Sequence, residues 1–144
     1  MRFWDSSAIV PLLIEETARE RMLAALDSDP VMLVWWATPV ELVSALSRRE
    51  RDTGLSLIDA TAVIDRIRAL ERAWQTVLPN DAIRTRAQRL LRVHALRAAD
   101  SLQLAAALSI AGDVPGSLAF MCLDRRLADA ARREGLTVAL ECAQ

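Results

Sequence analysis

The sequence predicts an α/β domain, a parallel sheet covered by helices, formed as one domain over residues 1–144. Two observations predict it. Short apolar runs rich in β formers alternate along the whole chain with segments whose apolar residues recur at helical spacing, the pattern of strand–helix–strand units. The length, 144 residues with 53% apolar residues, suits a single domain with a sizeable core. No repeat, linker or low-complexity segment interrupts the alternation.

The elements follow in order. Arg2-Phe3-Trp4 reads as a short strand running straight into Asp5-Ser6-Ser7. Ala8 to Ile14 is a short apolar helix, in which Pro11 is tolerable only near the start. Thr17 to Leu26 is a second helix, with Ala18, Met22, Ala25 and Leu26 on one face and Asp27-Ser28-Asp29-Pro30 as its stop. Val31 to Trp36 is a buried strand. Thr38-Pro39-Val40-Glu41 is a helix start, with Thr38 as N-cap, Pro39 as first helical residue and Glu41 closing a capping box. That helix ends near Asp52 at Gly54. Ser56 to Arg72 carries Leu57, Ala60, Val63, Ile64, Ile67 and Leu70 at helical spacing. Trp74 to Leu78 is a strand, Asn80-Asp81 caps a helix through Leu91, and Leu96 to Ala111 is a further helix. Gly112 to Ser117 is a turn. Leu118 to Leu123 is a strand that meets Asp124, Asp124 to Glu134 is a helix ended by Gly135, and Thr137 to Leu140 is a last strand.

Composition narrows the chemistry. The net charge of −1 gives no global basic field to draw in nucleic acid. All 18 basic residues are Arg, which excludes a P-loop, a Schiff-base lysine and a receiver-domain lysine. Cys122 and Cys142 are too few for a disulfide framework, and Cys122, within an apolar run, reads as a small buried residue. The longest apolar run, Val31 to Ala37, is far short of a membrane span. Asp5 and Glu15-Glu16 interrupt any signal-like stretch, so the expected location is the cytoplasm.

Four acids stand out. Asp100 lies in Arg97-Ala98-Ala99-Asp100-Ser101-Leu102-Gln103-Leu104-Ala105, a stretch apolar on nearly all sides and so expected to be buried, where an unpaired carboxylate is costly. Asp5 and Asp124 each follow a strand directly, and Glu41 falls in the first turn of the helix after the second strand. In open parallel sheets, sites form beyond the carboxyl ends of the strands. Four carboxylates meeting there would repel strongly unless cations neutralised them, and hard oxygen donors without a His or Cys cluster suit Mg²⁺ or Mn²⁺. Each acid also has a plain reading. Asp5 and Asp124 serve as N-caps, Glu41 as a capping-box member, and Asp100 as a helix residue facing water or pairing with Arg97. His94, the one histidine, reads as a helix-end residue and a weak candidate for catalysis.

The chain resembles PIN-domain proteins, in particular VapC-type toxin ribonucleases of toxin–antitoxin pairs. The matching stretches are Phe3 to Ala8, Thr38 to Leu46 around Glu41, Leu96 to Ala105 around Asp100, and Leu123 to Leu127 with Ala130-Ala131 and Gly135. The resemblance implies a three-layer α/β/α fold with a central parallel sheet of four to five strands. It implies an acidic pocket of Asp5, Glu41, Asp100 and Asp124 binding Mg²⁺ or Mn²⁺, and hydrolysis of RNA phosphodiesters. Ser6 matches a position that supports the first Asp. Cys122 departs from a Thr often found two residues before the last acid. Family members typically dimerise and are silenced by a cognate antitoxin.

Two other classes compete. A catalytically silent PIN-like binding module would have lost acids, and all four are present. A phosphatase with an aspartyl nucleophile wants a second acid two residues after Asp5, where Ser7 stands, and a lysine. The substrate RNA is not legible. Arg48, Arg49 and Arg51, Arg84, Arg86, Arg89 and Arg92, and Arg125 and Arg126 suit either solvated helix faces or a phosphate backbone.

Overall fold

A computed structural model describes residues 1–139. Five strands form one all-parallel sheet: β1 (Arg2–Trp4), β2 (Met32–Trp35), β3 (Gln75–Val77), β4 (Ala119–Met121) and β5 (Thr137–Val138). Their order is β3-β2-β1-β4-β5. The chain first builds outward from β1 through β2 to β3, then crosses back over to place β4 on the other side of β1. The strand order therefore reverses between β1 and β4, which is where open α/β sheets form their crevice.

Seven helices cover both faces: α1 (Ser6–Leu13), α2 (Arg19–Ser28), α3 (Thr38–Thr53), α4 (Leu57–Ala73), α5 (Asp81–Val93), α6 (Ala98–Ala111) and α7 (Arg125–Arg133). Successive strand residues point to opposite faces, and the sequence exploits this with large side chains on both. Phe3 and Phe120 face the layer of α5, α6 and α7. They are register partners on β1 and β4 and their rings stack at 5.6 Å. Trp4 and Met121, one residue further on, face the layer of α1 to α4. The three-layer fold expected from the resemblance is the one found.

Several local expectations change. Helix α1 begins at Ser6, so Pro11 is its sixth residue rather than part of its first turn. Pro11 has no N–H to offer the Ser7 carbonyl, a loss a two-turn helix with a buried apolar face tolerates. Thr38 is not an N-cap: Ala37 takes that position without a side-chain bond, and no capping box with Glu41 forms. Thr38 is instead fully buried, where its hydroxyl finds a partner on α6. Leu57, expected on a buried face, is 79% exposed, because Ser56 caps α4 one residue before it and the packed stripe begins at Ala60. Leu140 and Cys142 lie outside the described residues. Gly54 ends α3 with φ +66°, the left-handed conformation glycine accepts without strain.

Among the described residues no helix is long and apolar enough to cross a membrane. His94 caps the C-terminus of α5 and bonds Glu134 at 2.7 Å. It stands with Arg89 at a helix end, with no part in the acidic cleft.

Candidate functional site

Beyond the carboxyl ends of β1, β2 and β4 lies an open cleft of about 500 Å³. Asp5, Glu41, Asp100 and Asp124 all line it, with Ser6, Ser7, Ser44, Arg48 and Arg97. The four acids come from sequence positions far apart and are brought together by the same local device. Asp5 is the N-cap of α1, Glu41 lies in the first turn of α3, Asp100 in the first turn of α6, and Asp124 is the N-cap of α7. Four helix N-termini thus open on one cleft, and their partial positive charge offsets part of the acidic repulsion.

The plain readings of Asp5, Asp100 and Asp124 hold as geometry, and they coexist with convergence. Asp124 accepts the Leu127 N–H at 2.9 Å. Asp100 accepts the Arg97 N–H at 3.2 Å and is half-buried. Asp5 is buried, at 3% exposure. It accepts the Ser7 N–H at 3.0 Å and the Ser7 hydroxyl at 2.5 Å. Burial raises the Asp5 carboxyl to about 6, with Glu41 and Asp100 adding to the rise and the Ser7 bonds opposing it. Burial also raises Glu41, where Asp100 repels it and hydrogen bonds from Ser6 and Gln103 hold it down. For Asp100, burial and the charge of Asp124 raise the carboxyl against Arg97 and Arg126. The four acids thus form one chain of mutual repulsion. Even so, among the described residues no three His, Cys, Asp or Glu side chains stand close enough together to hold an ion as they are placed.

The supporting serine is not the expected one. Ser7, not Ser6, bonds Asp5. Its hydroxyl also accepts the N–H groups of Leu123 at 2.9 Å and Asp124 at 3.3 Å. Ser6 bonds Glu41 instead. The capping rule pointed this way, since an N-cap acid takes its bond from the second or third helical residue, and Ser7 is the second. Cys122 is buried with Sγ 3.7 Å from the Ser7 hydroxyl and 3.3 Å from the Asp124 carbonyl, and burial pushes its thiol up. Two further polar residues, Thr38 and Gln103, are buried beside Glu41. Sequence reasoning passed over Gln103, whose signal is a polar residue one turn after Asp100 in a largely apolar helix.

The raised Asp5 carboxyl carries a pH dependence. Its folded value, about 6, lies above the unfolded 3.8, so its stability contribution is full below 3.8 and is lost as pH rises through 6. The difference corresponds to about 3 kcal/mol in total. We expect metal-free wild type to lose on the order of 1–2 kcal/mol more than Asp5→Asn between pH 5 and 7.5, measured by urea unfolding. Parallel pH profiles would contradict the burial of a charge at this position.

Fold and site together define a class: an α/β domain with an acidic cleft at the switch point of its parallel sheet. A family model for the PIN domain matches residues 2–133, and the chain belongs to the PIN domain family. It is 34% identical over 140 residues to Ribonuclease VapC45 of Mycobacterium tuberculosis (strain CDC 1551 / Oshkosh), covering 95% of this chain and 93% of that protein. Ribonuclease VapC49 of Mycobacterium tuberculosis (strain ATCC 25618 / H37Rv) matches to the same extent. Among solved structures, FitAcB from Neisseria gonorrhoeae shares the fold with a TM-score of 0.66 at 18% identity, over 95% of both chains.

Proposed function

We propose that the protein is a Mg²⁺- or Mn²⁺-dependent endoribonuclease, the toxin of a toxin–antitoxin pair, acting in the cytoplasm as a homodimer restrained by a cognate antitoxin. The convergence of four acids on one cleft at the sheet's switch point carries the reading. The ribonuclease names of relatives matched nearly end to end support it. Carboxylates and serine hydroxyls are a hard-oxygen donor set that suits these cations. Asp5, Glu41, Asp100 and Asp124 would hold the metal. The metal would supply a water nucleophile at neutral pH and charge stabilisation on the phosphoryl oxygens.

The chain's own groups have separable tasks. Ser7 keeps Asp5 oriented and offsets the cost of its buried charge. Ser6 does the same for Glu41. Arg48, two turns along α3 from Glu41, lines the cleft and also a neighbouring cavity of about 380 Å³ bounded by Val10, Glu16 and Arg49. The two share Ser7, Val10, Ala45 and Arg48, so the groove continues past the acids along α1 and α3, and an RNA strand would follow it. Arg49 is held by Glu16, whereas Arg48 makes no ion pair among the described residues and is available to a phosphate. Arg48→Ala is expected to raise KM for single-stranded RNA roughly 3- to 10-fold with kcat little changed. It should also reduce the salt slope of RNA binding by about one ion. An unchanged salt slope would place the strand elsewhere.

The reading itself is tested by incubating purified protein with RNA, with and without Mg²⁺ or Mn²⁺, and mapping the cleaved ends. Metal-independent cleavage, or none in either metal, would overturn it. Glu41→Gln decides the role of Glu41. With no capping box to lose, stability should stay near wild type while cleavage falls at least about 10-fold. Full activity in that variant would remove Glu41 from the site.

A further inference from the structure

We propose that Gln103 is a positioning residue that fixes the Glu41 carboxylate for metal binding. The proposal rests on the nuclease reading above and names a part of the site that reading does not require. Gln103 is 1% exposed and sits one turn after Asp100 on α6. Its Nε2 donates to Glu41 Oε2 at 2.9 Å and to Thr38 Oγ1 at 2.9 Å. An ionised carboxylate only accepts, so the amide nitrogen is the end that must face it. Thr38 is fully buried at the start of α3. One amide therefore ties the first turn of α3, which carries Glu41, to the first turns of α6, which carry Asp100.

The other end of the same amide marks its purpose. Gln103 Oε1 is buried and has no hydrogen-bond partner among the described residues. A buried acceptor left unmade costs stability, whereas an apolar side chain of similar length would not. For the fold alone, the amide is a poor choice. For Glu41 it is a good one. It supplies a neutral donor that holds the carboxylate in one orientation and adds no charge to compete with a cation. Ligand-orienting partners of this kind typically change metal affinity 10- to 100-fold when removed.

The test uses Mn²⁺ as the probe, with free Mn²⁺ followed by EPR in the absence of RNA. Gln103→Met keeps the length of the side chain and removes both donors. Its Mn²⁺ Kd should rise about 10-fold or more, and the Mn²⁺ concentration giving half-maximal cleavage should rise by the same factor. At saturating Mn²⁺, kcat should return to within about threefold of wild type and KM for RNA should be unchanged. The melting temperature should be equal or higher. Should this variant fail to fold, Thr38→Val carries the test: it removes the tether of the amide, weakens Mn²⁺ binding in the same direction, and Thr38→Ser restores it. Wild-type Mn²⁺ affinity in the two variants, whatever their stability, overturns the proposal while leaving the nuclease reading intact. A wild-type protein that neither binds Mn²⁺ nor cleaves RNA overturns both.

Discussion

Asp100→Asn is expected to abolish metal-dependent RNA cleavage, by at least about 100-fold, in a protein as stable as wild type or more so. Asn keeps the oxygen that accepts the Arg97 N–H, so the first turn of α6 stays capped. The substitution deletes a negative charge that Asp124 repels and burial disfavours, so stability should rise by up to about 1 kcal/mol in the absence of metal. Growth arrest on expression should disappear with the cleavage. A residue that merely paired with Arg97 would show the reverse, a small loss of stability and full activity. The measurement is a paired one, urea unfolding and cleavage in Mg²⁺ on the same preparations. An Asp100→Asn protein cutting at the wild-type rate would sink the proposed mechanism.

Ser7→Ala should be the most damaging small substitution in the site for stability. Its hydroxyl donates to the Asp5 carboxylate and accepts from the Leu123 and Asp124 N–H groups. One atom thus joins the carboxyl ends of β1 and β4 at the point where the strand order reverses. A hydrogen bond to a charged group and a shared backbone acceptor together contribute about 2–4 kcal/mol. For a chain of this size that is a fall in Tm of roughly 6–15 °C. Without the hydroxyl, burial acts on Asp5 with less opposition, so its carboxyl rises further and cleavage at neutral pH should fall at least about 10-fold. Ser6→Ala is the matched comparison. It loses a bond to Glu41 alone and should cost no more than about 1 kcal/mol. Equal losses in the two variants would refute the central place given to Ser7.

The arrangement of elements was legible because strands and helices leave different periods in the sequence, and the clearest strands, β2 and β4, lie in short apolar runs between helical segments. All five strands were placed within a few residues. All four acids line the cleft: Asp5 and Asp124 directly follow strands and Glu41 lies in the first turn of the helix after β2, while Asp100 reaches the same edge from the start of α6, a helix that follows another helix. What the sequence did not show was which neighbour satisfies which group. Thr38 satisfies every rule for an N-cap, and tertiary contact with Gln103 overrode it, because a buried hydroxyl gains more from a partner across the core than from an exposed helix end. Ser6 and Ser7 are the same residue type side by side, and only the geometry of the cap at Asp5 separates them. Leu57 follows the helical period, but it sits at the very start of α4, ahead of the first packed turn.

The reversal of strand order also sets the sequence in which the cleft can be completed as the chain folds. Residues 1–111 contain three of the four acids, yet β1 has no neighbour on its inner flank until β4 arrives. Phe3 then lacks the ring it stacks on, and Ser7 lacks the Leu123 and Asp124 groups it holds. A partly folded chain in which β4 has not docked beside β1 cannot close the cleft. Such late, long-range pairing is a slow step in folding. Closure of the cleft is thereby tied to a late, long-range pairing of the sheet.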